Sequence, residues 1–130
     1  MSSIEVNAAA VTAPGDVYVR PTSAAAEILT LETVHWEDQW ISVQAETTDV
    51  FIRFGTTTAT ATPHPTNVSA LAAPIAPAAD GSWLVPAGTT KEFLLRNFVT
   101  LTGEELMMGH ITGGAAGVIR FYRSSGSRAL

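Results

Sequence analysis

Apolar and polar residues alternate at period two through Gln39–Gly55, QWISVQAETTDVFIRFG. Ile41, Val43 and Ala45 fall on one side, against Trp40, Ser42, Gln44 and Glu46 on the other. Further on, Val50, Ile52 and Phe54 oppose Phe51 and Arg53. Successive side chains of a strand point to opposite faces, so this spacing predicts two strands, each with one apolar face. The step between them, Thr47–Thr48–Asp49, is short and polar and predicts a hairpin loop.

The same grammar recurs along the chain. Asp16–Arg20 alternates briefly before Pro21, which is expected to end it. In Glu27–Val34, Ile28, Thr30 and Glu32 oppose Leu29, Leu31 and Thr33, and the polar stretch Trp36–Trp40 is read as the connection that follows. Trp83–Val85 is a short strand, and Pro86–Ala87–Gly88 has the composition of a type II turn with Pro at the first central position. Thr89–Arg96 alternates through Lys91, Phe93 and Leu95, and Asn97–Thr102 either extends that strand or turns. Glu104–Thr112 fits one helical turn or a strand, and the β-branched Ile111–Thr112 favours the strand; Gly113–Gly117 is read as a turn and Val118–Arg123 as the last strand. In that strand Val118, Arg120 and Tyr122 share one face and Ile119, Phe121 and Arg123 the other.

About seven or eight strands at this spacing define an all-β chain, an antiparallel β-sandwich of which the jelly roll is one form. The predicted organisation is an N-terminal arm over 1–15, one sandwich domain over 16–126 and a short tail over 127–130. Ile4 and Val6 in the arm can pair as a strand if a sheet edge or another subunit receives them. The stretch 56–82 interrupts the pattern. Pro63, Pro65, Pro74 and Pro77 each lack a donor N–H and restrict the preceding residue, so a long irregular loop is expected there. Leu71, Ile75 and many alanines argue against free disorder, and packing along a neighbouring subunit accounts for them.

Composition narrows the function classes. The 130-residue chain is one domain's length. It holds no Cys, which excludes a disulfide framework, a Cys zinc site and a thiol nucleophile. No apolar run approaches the roughly 20 residues that span a bilayer. The first residues lack the basic and apolar regions of a secretory signal. Charged residues make up 15%, against about 25% in typical domains, and Lys91 is the one lysine. A surface poor in Lys and Glu but holding Arg and aromatics has the bias of protein–protein interfaces. The net charge of −5 argues against binding nucleic acid directly.

No catalytic or cofactor constellation emerges. His35, His64 and His110 are far apart in the chain, without the spacing of a metal site. Glu104 and Glu105 are adjacent, so on a strand they face opposite ways. The Gly113–Gly117 run matches no phosphate loop and precedes a strand, not a helix. Two surface readings remain. Arg53 beside Phe51, and Arg120 and Arg123 on the last strand, suit an interface that carries carboxylates. Trp36, Trp40 and Trp83, if exposed, suit stacking on sugar rings, whereas tryptophans at strand ends more commonly cap a core.

Three stretches in order, AETTDVFIRFG at Ala45–Gly55, VPAGTTKEFLL at Val85–Leu95 and GVIRFYRSSG at Gly117–Gly126, resemble small β-structured virion proteins of tailed bacteriophages. The similarity is greatest to capsid decoration, or cement, proteins and covers the last two-thirds of the chain. It implies a non-enzymatic protein on the capsid exterior, assembled in the host cytoplasm and commonly homotrimeric. Such a protein binds the major capsid protein and reinforces joints between its subunits. It also implies an arm or loop reaching onto the shell, a role open to residues 1–15 and 56–82. Expected contact residues, from the pattern alone, are Ile4, Val6, Arg53, Leu71, Ile75, Arg120 and Arg123. Alternatives are a head–tail connector, a tail or fibre-base component, or a carbohydrate-binding sandwich.

Overall fold

The computed structural model describes residues 3–5, 11–12, 17–31, 39–65, 81–98 and 106–125. Within them are ten strands: β1 (Ser3–Glu5), β2 (Val11–Thr12), β3 (Val17–Thr22), β4 (Glu27–Leu31), β5 (Gln39–Ala45), β6 (Val50–Gly55), β7 (Trp83–Val85), β8 (Thr90–Leu94), β9 (Leu106–Thr112) and β10 (Gly117–Ser125). A single 3₁₀ turn, Leu95–Asn97, follows β8. They form two sheets, ordered β1-β3-β10-β5-β8 and β2-β4-β9-β6-β7. The chain is an all-β sandwich, as its alternating pattern predicts.

The order has a simple origin. Antiparallel pairs join β3 to β10, β4 to β9, β5 to β8 and β6 to β7. That is one long hairpin whose outgoing arm is β3–β6 and whose returning arm is β7–β10. Rolling the ribbon on itself adds the pairs β5·β10 and β6·β9 and closes two sheets face to face. This is the jelly roll. The tip of the ribbon therefore falls between β6 and β7. β1 and β2 add parallel strands to the outer edges, beside β3 and β4.

The core lies between the sheets. Ile41, Val43, Ala45, Ile119 and Phe121 come from one inner face; Leu29, Leu31, Val50, Ile52 and Met108 come from the other, and all are buried. Tyr18 stacks on Phe121 at 5.2 Å between ring centroids. At another part of the core, Phe54 lies 4.4 Å from Phe98 and 5.3 Å from Phe93. Each such side chain contributes about 1.5–3 kcal/mol on burial.

Several expectations need correcting. Gln39–Gly55 is not a hairpin: β5 and β6 belong to different sheets, and Glu46–Asp49 carries the chain across the sandwich. The two apolar sets then face each other across the core instead of lying side by side. Asp49 secures this corner by accepting a hydrogen bond from the Ala87 N–H at 2.8 Å. β3 runs through Pro21 to Thr22, because β1 pairs only with Val17–Val19 and asks for no donor at Pro21. Gln39 and Trp40 already belong to β5. In the turn after β7 the Thr89 N–H bonds the Pro86 carbonyl, so Pro86 precedes the central residues, Ala87 and Gly88, and Gly88 takes φ +77°.

The loop 56–82 also differs from expectation in its described parts. Thr56–Pro65 lies against this chain's own β4-β9-β6 surface, with Ala61 wholly buried. Gly109 on β9 makes this possible: a Cβ there would overlap the Ala61 carbonyl. Gly55 does the same beneath Thr60. Arg53 donates from Nη1 to the carbonyl of Thr62 at 3.1 Å and, more weakly, to that of Ala59 at 3.4 Å. The His64 N–H bonds the buried Ser82 hydroxyl at 3.0 Å and so joins the two ends of the loop. A neighbouring subunit is not needed to hold this part.

Candidate functional site

Two features stand out from the sandwich: an outer sheet face that no other described element covers, and a buried polar cluster. The face belongs to the β3-β10-β5-β8 sheet. Register puts Val17, Tyr122 and Ser42 in one row, and Val19, Arg120 and Gln44 in the next. Ser42 and Gln44 are continued onto β8 by Glu92 and Thr90. These are the outward positions of strands whose inward positions are Tyr18, Ile41, Val43 and Phe121. Val17, Ser42, Gln44, Thr90, Arg120 and Tyr122 line a shallow open groove of about 210 Å³. Arg120, 45% exposed, pairs with Glu46 at 3.1 Å, and the Ser42 hydroxyl donates to Glu92 at 3.2 Å. Exposed surface pairs of this kind add at most about 1 kcal/mol to stability.

The second feature joins the sheets at the β3–β4 corner. Arg20 Nη2 reaches both Glu27 carboxylate oxygens, at 2.9 and 2.5 Å. His110 on β9 places Nδ1 2.9 Å from the Thr22 hydroxyl and Nε2 3.5 Å from Glu27 Oε1. Arg20, Thr22 and His110 are all buried. Burial pushes the His110 pKa down to about 4; Glu27 raises it and Arg20 lowers it, both by less. The imidazole is therefore neutral at pH 7. A carboxylate facing Nε2 calls for the hydrogen there, which leaves Nδ1 to accept from the Thr22 hydroxyl. Arg20–Glu27 and Thr22–His110 each join one sheet to the other, while Glu27 and His110 are register partners on neighbouring strands, so the cluster's chemistry is that of a staple. Among the described residues no group of three or more His, Asp or Glu is arranged to hold a metal ion.

The expected contact residues scatter. Arg120 is on the open face. Arg123, three positions on, is 0% exposed on the inner face, so it offers no surface to a partner; the alternation had already set it with Ile119 and Phe121. Arg53 is half-buried and holds its own loop. Ile4 falls in register with Tyr18 at the edge of this chain's own sheet. Val6, Leu71 and Ile75 lie outside the described residues, as do His35 and Trp36. Trp83 caps the core, edge-on to Phe93 at 5.2 Å, with the Lys91 ammonium 5.2 Å above its ring.

The Arg20–Glu27–His110 cluster escaped sequence reasoning, which looked for spacing motifs. The signal was parity: Arg20 shares a face with Tyr18, Glu27 with Leu29 and Leu31, and His110 with Met108. Fold and site define a jelly-roll sandwich with a shallow groove on one outer sheet face. Comparison with family models, curated proteins and solved structures finds no match to this chain.

Proposed function

We propose that this chain is a structural virion protein that binds the outside of a tailed-phage capsid and reinforces contacts between major-capsid subunits. The observation that carries the reading is the outer β3-β10-β5-β8 face. It is open, partly apolar and sparsely charged, with half-buried Trp40 and Tyr122 beside an exposed Arg120. Aromatics and Arg are the residue types enriched where proteins meet. Jelly rolls also occur in viral capsid and lectin domains, which supports the reading by analogy of fold only. A sugar-binding role through Trp83 is disfavoured, because both Phe93 and Lys91 already occupy its ring.

The test is sedimentation of the purified chain with empty expanded shells built from the major capsid protein of the same genome. Saturable addition at a ratio fixed by capsomer number supports the reading. A chain left wholly in the supernatant, with shells intact, overturns it.

A further inference from the structure

We propose that the outer β3-β10-β5-β8 face docks on the same face of a second copy, related by a twofold axis. This rests on the reading of that face as a protein-docking surface. Val17, Val19, Val118 and Tyr122 are all half-buried there, although outward positions of a solvated sheet are ordinarily polar. The face also carries both members of an ion pair. Arg120 sits on the central strand β10, with Glu46 at the end of β5 and Glu92 on the edge strand β8.

A twofold contact must be complementary to itself, and a face holding cation and carboxylates together meets that condition. A partner of uniform charge finds no such match. Size agrees with a weak pair. Five strands about 4.8 Å apart and roughly 20 Å long present on the order of 500 Å² per copy, or roughly 1,000 Å² in total. That is about where specific association begins, so the pair forms in a concentration-dependent way. A face that meets itself builds a dimer, and not the trimer that the virion resemblance implies. The shell and the second copy then compete for one face, so the pair parts before a copy docks.

The chain has no cysteine, so introduced ones report cleanly. Sedimentation from about 1 to about 200 µM should carry the wild type from monomer to dimer. Arg120→Glu and Tyr122→Lys should each weaken the association at least about tenfold, with thermal melting unchanged for Arg120→Glu. Under mild oxidation, Gln44→Cys should form an intermolecular disulfide, while Thr58→Cys, exposed on the loop over the other sheet, should not. A wild type that stays monomeric throughout overturns the pair, as do face variants that associate normally or Thr58→Cys crosslinking as readily. The two readings separate. A monomer whose Tyr122→Lys variant fails to join shells removes only the pair; a dimer indifferent to shells removes only the virion role.

Discussion

Arg20 and Glu27 hold each other across the corner where β3 of one sheet passes to β4 of the other, and Arg20 is 2% exposed. Removing one member of such a pair strands the other. Glu27→Gln should therefore destabilise the protein by about 3 kcal/mol, measured by urea unfolding at neutral pH. Replacing both, as Arg20→Met with Glu27→Leu, should recover most of that loss. A double variant as unstable as the single one would show that the pair is not what the corner relies on.

Acid sensitivity should trace to His110. Its folded pKa, about 4, lies below the ordinary value of 6.5, so the unfolded chain binds the proton first. Stability from this residue is complete above pH 6.5 and declines as pH falls towards 4. The loss across that window is roughly 3 kcal/mol. His110→Gln removes the titration, so wild type and variant should differ in the slope of melting temperature between pH 7 and pH 4.5. Parallel slopes would contradict the buried, neutral imidazole.

Gly109 should resist even one added methyl. Gly109→Ala forces the Ala61 carbonyl and its loop off the sheet, at a cost of about 2 kcal/mol or more. Gly113→Ala is the control, since a Cβ there meets only Phe51 at an ordinary 3.7 Å. Chemical denaturation should separate the two by at least about 1 kcal/mol. Equal effects would mean that the loop does not rest on β9 as described.

The strands were legible because a two-sided sheet writes its burial at period two. Val50, Ile52, Ile119 and Phe121 all point inward as their alternation requires. Pairing was not legible. A hairpin and a corner between sheets produce the same alternation, and only long-range register distinguishes them, so Gln39–Gly55 read as a hairpin. Arg123 was misplaced for a different reason: residue type was weighed above parity. Gly109, alone between Met108 and His110 in a strand, carried a sign of close backbone approach that alternation by itself does not decode.

Arg53 should matter to its loop more than to any partner. Arg53→Ala removes the donor to Thr62 and Ala59, and the Ala61 N–H, bonded to the Thr57 carbonyl at 3.0 Å, should exchange with solvent about tenfold faster. Strand amides of β10 should be unaffected. Unchanged exchange at Ala61 would leave the anchoring role without support.

The central claim, that this chain works by docking on a viral shell, is tested most directly by a cryo-electron microscopy reconstruction of expanded shells incubated with it. The account predicts added density on the outer surface at symmetry-related joints between capsomers, into which the sandwich fits. Shells that remain bare at saturating protein would contradict it, as would density confined to the portal or tail.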